Sequence, residues 1–204
     1  MGSAGTRFAK DTTTPEERNA FCSKVVLVTG ANSGVGFECC KQLAECGWGR
    51  IILACRNKER GERALQQLQQ KTQKEVFELM ILDAGRKESC VQVATELSPA
   101  LDCLILNAGS LLKREEALKP SSDGFCTLAA THVLGPVILT DALMSAGKLS
   151  CNATILYVSS EAARGVRTLG VAPPVPPDNR EILEKVMRGG TSRPSKRRFD
   201  RTDG

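Results

Sequence analysis

Five short apolar runs, separated by helix-like segments, constrain the fold of this chain more than any other feature. Each run is rich in Val, Ile, Leu and Cys and stays largely apolar instead of alternating with polar residues. Strands of this kind are buried on both faces, which is typical of a parallel sheet covered by helices. The predicted strands are Lys24–Thr29, Arg50–Cys55, Val76–Leu82, Leu101–Leu106 and Ala153–Val158.

Helical periodicity between the runs supplies the connections that parallel strands need. The alternation of strands and helices predicts an α/β fold, a doubly wound parallel sheet with strand order 3-2-1-4-5. A ligand is then expected at the carboxyl ends of the strands, near the point where the strand order reverses. The predicted helices cover Gly34–Cys46, Lys58 to about Lys71, Lys87–Leu97 and Asp123–Ala146, and a short helix could form over Asn179–Met187.

The two ends of the chain differ in composition from its middle. We expect a flexible polar lead over residues 1–22, one domain over 23–164 and a poorly ordered tail over 165–204, in which prolines at 172–177 exclude regular structure. The net charge of +5 is carried by this tail from Lys185 onward. The tail lacks the interleaved aromatic residues that stack on bases, which argues against a nucleic-acid partner.

The nine cysteines are scattered, odd in number and include no Cys-x-x-Cys pair. This usage predicts free thiols, no metal site and a reducing, cytoplasmic compartment. No apolar run approaches the roughly 20 residues that a membrane span needs, so we expect no membrane partner.

A glycine-rich turn, TGANSGVG at residues 29–36, lies between the first predicted strand and the first predicted helix. This context is the one that a dinucleotide-binding turn requires, because the helix N-terminus presents N–H groups and partial positive charge to phosphates. A plain tight turn is the alternative for the glycines alone. The predicted cofactor contacts in this turn are Gly30, Asn32, Ser33, Gly34, Val35 and Gly36.

The Gly-x-x-x-Gly-x-Gly spacing of this turn resembles the short-chain dehydrogenase/reductase superfamily. The resemblance continues to about Ser160 through LACRN, LD, LNAG, HVLG and VSS, which begin at positions 53, 82, 106, 132 and 158. It implies a Rossmann fold and an oxidoreductase that transfers hydride between a nicotinamide cofactor and a small alcohol or carbonyl compound.

Arg56, at the end of the second predicted strand, bears on the choice of cofactor. An NAD site places a carboxylate there for the ribose 2′-hydroxyl, whereas NADP brings a 2′-phosphate that a carboxylate would repel. No Asp or Glu follows until Glu59, and a guanidinium can hold a phosphate through two parallel bonds. An exposed arginine at a helix start is the alternative. Retinol-dehydrogenase-like members share Ala-Cys-Arg-Asn and favour NADP(H), so we expect NADP(H) in preference to NAD(H).

Two further strand ends match the family's cofactor-binding positions. Asp83 resembles the acid that hydrogen-bonds the adenine ring, although a turn or capping role is equally compatible with the sequence. Asn107, Ala108 and Gly109 resemble the Asn-Ala-Gly segment that lines the cofactor, with ordinary turn chemistry as the alternative.

The catalytic residues that the resemblance implies are present only in part. Ser160 aligns with the serine that polarises the substrate carbonyl, and a helix cap is its alternative role. His132 stands where the family has an Asn that holds a relay water, and a core or surface histidine is the alternative.

The Tyr-x-x-x-Lys pair of the family is missing. Tyr157 is the single tyrosine and lies inside the fifth predicted strand, and Glu161 follows four residues later. The sheet is therefore expected to be incomplete, with its fifth strand as an exposed apolar edge. The chain is interpreted as an inactive fragment of such an enzyme or as a short, non-catalytic NADP(H)-binding module, and oligomers are compatible with either.

Overall fold

The fold is known from a computed structural model, which describes residues 20–109, 114–160 and 180–189. Its five parallel strands form one sheet in the order β3-β2-β1-β4-β5, which confirms the predicted doubly wound topology. The predicted bounds of β2 and β4 are reproduced without change. The strands are β1 (Val25–Thr29), β2 (Arg50–Cys55), β3 (Phe77–Ile81), β4 (Leu101–Leu106) and β5 (Leu149–Tyr157).

Helices cover both faces of the sheet. The first two helices pack on one face through Cys40, Ala44 and Leu68, and the third and fifth pack on the other through Val93 and Leu143. The helices are α1 (Gly34–Glu45), α2 (Lys58–Thr72), α3 (Lys87–Glu96), α4 (Arg114–Ala117), α5 (Thr127–Ser145) and α6 (Arg180–Met187).

The central strand β1 is buried along its whole length. Its alternate side chains enter opposite layers, since Val25 and Leu27 join the core under α3 and α5 while Val26 and Val28 join the core under α1 and α2. Burial of apolar surface stabilises a fold by roughly 25 cal/mol per Å². The two-sided burial explains why the strand sequence is uniformly apolar.

Helix α5 departs from the sequence-based expectation about membrane spans. With 19 residues, it is long and apolar enough to cross a membrane, judged by length and composition alone. It also contains one π-helical turn, Ala130–Leu134. Leu139 and Leu143 of this helix are buried in the core beneath it, which is the arrangement of a helix that covers a sheet. The expectation that no segment reaches this length was therefore wrong.

Helix α6 contacts the segment that precedes α5. The Cys126 N–H donates to the Met187 carbonyl at 2.8 Å, and the Arg188 guanidinium lies 5.0 Å from the centroid of the Phe125 ring. This helix confirms the short helical segment that the sequence allowed.

Strand β5 ends the described sheet and carries exposed apolar side chains. Ile155, Leu156 and Tyr157 are 43%, 46% and 52% exposed. At the opposite edge, Glu78 of β3 makes a two-pronged ion pair with Arg50, at 2.5 and 2.6 Å. A charged edge discourages pairing with other chains, so the two edges differ in character. The predicted exposed apolar edge at β5 is confirmed within the described residues.

Asp102, near the start of β4, links the amino-terminal ends of three strands. It accepts hydrogen bonds from the Val25 N–H and the Lys24 ammonium, both at 2.9 Å, and from the Ser150 hydroxyl at 3.4 Å. Burial raises the pKa of this carboxyl, but the bonds from Val25 and Lys24 outweigh burial, so the pKa lies below its ordinary value. The carboxylate form therefore stabilises the fold.

Replacing Asp102 by Asn should lower the free energy of unfolding by about 1–2 kcal/mol at neutral pH, because bonds to a charged acceptor are weakened. The ionised form contributes stability above the unfolded pKa of about 3.9, and this contribution is lost as pH falls through the lower folded value. Urea unfolding should thus show a constant difference from wild type down to about pH 5 and a smaller one below about pH 4.

The exposed Asp141→Asn variant on α5 serves as the matched control and should unfold like the wild type. A difference for Asp102→Asn that grows on acidification would contradict the assigned role of the carboxylate.

Candidate cofactor-binding site

The glycine-rich turn lies directly against the end of β4. Gly30 is held to β2 by a 2.8 Å bond from its N–H to the Ala54 carbonyl. Its φ of +68° is a left-handed conformation, and a Cβ there would lie 2.9 Å from the Cα of Ala108. Only glycine combines this conformation with such a close approach.

Gly36, in the first turn of α1, allows Asn107 to enter the same junction. A Cβ at Gly36 would lie 2.5 Å from the Asn107 Nδ2 and 2.6 Å from the Gly30 carbonyl oxygen. The missing side chain thus leaves space for the Asn107 amide between the turn and the helix. The structure thus brings together the turn and the Asn107–Gly109 segment.

Gly34 differs from the other two glycines, since a Cβ there would meet nothing within 4 Å. The neighbouring Val35 is 71% exposed, so the turn is open on this side. Ser33, the N-cap residue of α1, makes no side-chain hydrogen bond to the helix. The first amides of α1 therefore have no acceptor from their cap residue, and this open helix N-terminus fits an anionic group such as a diphosphate.

Thr29 is a structural residue of the site that sequence reasoning did not single out. Its buried hydroxyl accepts from the Asn107 N–H at 2.9 Å and the Ala108 N–H at 2.8 Å, and it donates to the Ile105 carbonyl at 3.4 Å. The Asn107 Nδ2 donates to the Thr29 carbonyl at 3.0 Å. A hydroxyl has one donor and two acceptor positions, so these bonds use its full capacity. The sequence signal that could have pointed to Thr29 is its position directly before Gly30, at the start of the glycine-rich turn.

Arg56 follows the last residue of β2 and is exposed. The next residue, Asn57, caps α2 by accepting from the Arg60 N–H at 2.8 Å, which fixes the backbone beside Arg56. The nearby carboxylate of Glu59 lies 3.8 Å from the Arg63 guanidinium, on the helix. Among the described residues, Arg56 forms no ion pair with a carboxylate, and its cation is accessible to an anion.

Asp83 lies just beyond β3, at the same edge of the sheet. Its Oδ1 accepts from the Gly85 N–H at 3.0 Å, and its own N–H donates to the Ser89 hydroxyl at 2.9 Å. These bonds are those of a turn residue. They hold the carboxyl in place at the carboxyl end of β3, half-buried.

His132 occupies the π-helical turn of α5. A Cβ built on Gly109 would lie 3.4 Å from the His132 Cε1, so the imidazole packs against the Asn107–Gly109 segment. The Tyr157 hydroxyl donates to the His132 carbonyl. π-Helical turns occur frequently at functional sites, and this one brings the histidine to the predicted cofactor edge.

Ser160 lies three residues past the end of β5 and is exposed. The Val158 N–H donates to the Leu106 carbonyl at 3.0 Å, which extends the pairing with β4 toward this serine. Ser160 therefore lies at the same carboxyl edge as Asn107. Glu161 lies outside the described residues.

Comparison with known proteins identifies the family. The model of the short chain dehydrogenases matches residues 24–172, a stretch that contains all five strands of the sheet. The chain belongs to the short-chain dehydrogenase family.

Two curated proteins are examples of the relatives that this chain matches. Dehydrogenase/reductase SDR family member 13 of Bos taurus is 35% identical over 144 residues, which are 69% of this chain and 37% of that protein. Retinol dehydrogenase 11 of Homo sapiens is 35% identical over 142 residues, which are 68% of this chain and 43% of that protein. The chain spans about two fifths of the length of these relatives.

Solved short-chain dehydrogenases share the fold. One from Escherichia coli CFT073, complexed with NADPH, has a TM-score of 0.56 and 27% identity, and the match covers 69% of this chain and 60% of that one. One from Shigella flexneri 2a str. 301, complexed with NADP, gives the same four values. Members of this family bind nicotinamide cofactors.

The Thr29→Val variant should be destabilised by about 1–3 kcal/mol, because the part-buried Ala108 N–H loses its acceptor and the Asn107 N–H keeps only its bond to the Ile105 carbonyl at 3.1 Å, while the side-chain volume is kept. Thr29→Ser keeps the hydroxyl and should lose less. Urea unfolding measures both, with the exposed Thr95→Val as the control. Equal stability of Thr29→Val and wild type would contradict the role given to this hydroxyl.

Proposed function

We propose that this chain binds NADP(H) and forms the cofactor-binding part of an oxidoreductase that acts on a small alcohol or carbonyl compound. The single observation that carries the proposal is the combination of an open helix N-terminus at Gly34 with the exposed cation of Arg56, which forms no ion pair with a carboxylate among the described residues. Both lie at the carboxyl ends of neighbouring strands, β1 and β2.

The diphosphate is assigned to the glycine turn and the first turn of α1. The first N–H groups of a helix have no intrahelical acceptor and the helix dipole favours negative charge at that end, so the backbone from Asn32 to Gly36 is assigned to the diphosphate. The side chains of Ser33 and Val35 flank the same opening. The crowding at Gly30 and Gly36 explains why larger residues would close the site.

The 2′-phosphate is assigned to Arg56. A planar guanidinium can donate two parallel hydrogen bonds to a phosphate, and it gains less from the uncharged hydroxyl of NAD(H). The solved relatives with NADPH and NADP support the same form of the cofactor. NAD(H) is the less favoured cofactor.

The order of the strands suggests where the adenine and nicotinamide ends of the cofactor would lie. Asp83, whose Oδ1 is oriented by the Gly85 N–H, is assigned to the adenine ring at the β3 end. Asn107, Ala108 and Gly109 are assigned to the cofactor's path along the β4 end. Bound nicotinamide would carry the hydride.

Ser160 and His132 are assigned to the substrate side of the site. Ser160 would donate its hydroxyl proton in a hydrogen bond to the substrate oxygen, and His132 would bind a water that relays a proton. The acid that delivers the proton in this family is a tyrosine next to a lysine. Tyr157, the single tyrosine of the chain, instead donates its hydroxyl to the His132 carbonyl.

The alternative function is a non-catalytic NADP(H)-binding module or an inactive fragment. Two features of the 204 residues favour this alternative. Tyr157 lies in β5 with its hydroxyl bonded to the His132 carbonyl, and the sequence contains no Tyr-x-x-x-Lys. The proposal also includes a reducing, cytoplasmic location, which fits nine cysteines that form no disulfide with one another.

Arg56→Glu should weaken NADPH binding by about tenfold or more, because a repulsive charge replaces one charge-assisted pair. NADH binding should change by less than about threefold, since NADH lacks the 2′-phosphate. Nucleotide fluorescence titration measures both constants. Arg63→Glu, on α2 and seven residues after Arg56, is the charge-matched control and should leave both constants unchanged.

Equal losses for NADPH and NADH in the Arg56→Glu variant would show that the arginine does not recognise the 2′-phosphate.

The 204-residue chain should bind NADPH yet oxidise none of it with a panel of aldehydes and ketones, because its sequence has no tyrosine and lysine one helical turn apart to act as proton donor. Absorbance at the reduced nicotinamide band follows the reaction, and a longer chain that supplies a Tyr-x-x-x-Lys is the positive control. Turnover by the 204 residues alone would contradict the assigned need for that pair.

A further inference from the structure

Helix α6 lies outside the stretch that matches the family model and has no part in the proposed function. The family match ends at residue 172, and α6 covers Arg180–Met187. Its carboxyl end nevertheless contacts the loop of residues 118–126, which precedes α5. A part of the chain beyond the family match is thus joined to a helix within it.

Backbone and side-chain contacts fasten α6 to the 118–126 loop. The Cys126 N–H donates to the Met187 carbonyl at 2.8 Å. The Arg188 guanidinium lies 5.0 Å from the centroid of the Phe125 ring, and its Nη1 donates to the Gly124 carbonyl at 3.5 Å. A cation over the face of an aromatic ring is attracted to it, so one arginine holds two neighbouring residues of the loop.

Gly189, directly after α6, allows the closest approach to the loop. Its φ of +85° is a left-handed conformation, which commonly ends a helix at a glycine. A Cβ there would lie 2.7 Å from the Leu118 carbonyl oxygen and 3.4 Å from the Cys126 Cβ. The missing side chain therefore lets α6 touch both ends of the loop, at Leu118 and at Cys126.

The 118–126 loop in turn sets the start of α5. The Thr127 N–H and the Thr127 hydroxyl both donate to the Lys119 carbonyl, at 2.8 and 3.0 Å. The Ala130 N–H donates to the Cys126 carbonyl at 2.8 Å. Since both acceptors belong to the loop, a displacement of the loop displaces the first turn of α5.

His132 lies close to this fixed start. It follows Cys126 by six residues, which is about 9 Å along a helix axis. A Cβ on Gly109 would lie 3.4 Å from the His132 Cε1. Beyond the π-helical turn, α5 is fixed again at Gly135, where no Cβ fits beside the Ala84 carbonyl. The position of the imidazole thus depends on the turn between these two fixed points.

We propose that Arg188 and Gly189 are positioning residues for His132: by fastening α6 to the 118–126 loop they fix the start of α5 and hold the imidazole against Gly109. The importance of this placement for a bound nucleotide rests on the proposed function. A tail helix that only covered surface would contribute stability and leave the imidazole in place. The position of the ring distinguishes the two roles.

Two substitutions should release α6, and each has a matched control. Arg188→Ala removes the guanidinium contacts with the loop, and Lys185→Ala removes the same charge from an exposed position of α6. Gly189→Ala places a Cβ against Leu118. Gly147→Ala adds a Cβ to a glycine of similar φ, +65°, that has nothing within 4 Å. Urea unfolding curves confirm that each variant is folded before it is compared.

The first measurement is amide hydrogen exchange of Cys126 by NMR, because its acceptor is the Met187 carbonyl. Release of α6 should accelerate this amide by about fivefold or more in Arg188→Ala and in Gly189→Ala, as expected for one lost hydrogen bond. Both control variants should exchange like the wild type. Wild-type exchange in both release variants would overturn the proposal, because these residues would not fasten α6.

The second measurement is the NMR signal of the His132 ring, which is unambiguous because the chain has one histidine. The wild type should show a nuclear Overhauser contact between the His132 Hε1 and the α-protons of Gly109. This contact should weaken by about twofold or more in both release variants, as expected when the packed position is less populated. It should stay unchanged in both controls. A contact of wild-type intensity in variants whose Cys126 amide exchanges faster would refute the positioning role.

Neither measurement needs a nucleotide, which separates this inference from the proposed function. If the wild-type chain binds neither NADPH nor NADH, the proposed function fails, and the ring signal still decides whether α6 positions His132. If the wild type binds NADPH and the ring signal is unaffected by release of α6, only the positioning role is refuted.

Discussion

The hydroxyl of Thr29 makes the contact on which the candidate site depends. It joins β1 to the end of β4, the two strands between which the order of the sheet reverses, and this is where doubly wound folds bind their ligands. At the same junction a Cβ on Gly36 would lie 2.5 Å from the Asn107 Nδ2, and a Cβ on Gly30 would lie 2.9 Å from the Cα of Ala108. The glycine turn therefore keeps its shape through packing and hydrogen bonds within the chain itself.

The two ends of the sheet serve different purposes. At the amino-terminal end, Asp102 joins β1, β4 and β5 through bonds to Val25, Lys24 and Ser150. At the carboxyl end, Gly30, Asn107 and Arg56 directly follow β1, β4 and β2. The surface at Gly34 is open there. Stability and binding are thus separated along the same strands, so a substitution at one end can leave the other intact.

Sequence patterns predicted much of this arrangement, and particular residues show why the rest escaped. The bounds of β2 and β4 were correct because both strands are buried apolar runs that end at a polar residue, Arg56 and Asn107. Strand β5 begins at Leu149, four residues before the predicted Ala153, since its polar start pairs with β4 although it lacks an apolar pattern. The π-helical turn at His132 left no readable signal. Thr29 acts through the distant end of β4, which only the folded chain brings near.

An NMR titration of the isotopically labelled chain with NADP⁺ tests the central claim most directly, because it locates the bound diphosphate. The account predicts saturable shift changes at the amides of residues 30–36 and at Arg56, fitted by a single site. No saturable change at nucleotide concentrations on the order of millimolar, a range that detects even weak binding, would contradict it, as would changes confined to the opposite edge around Asp102.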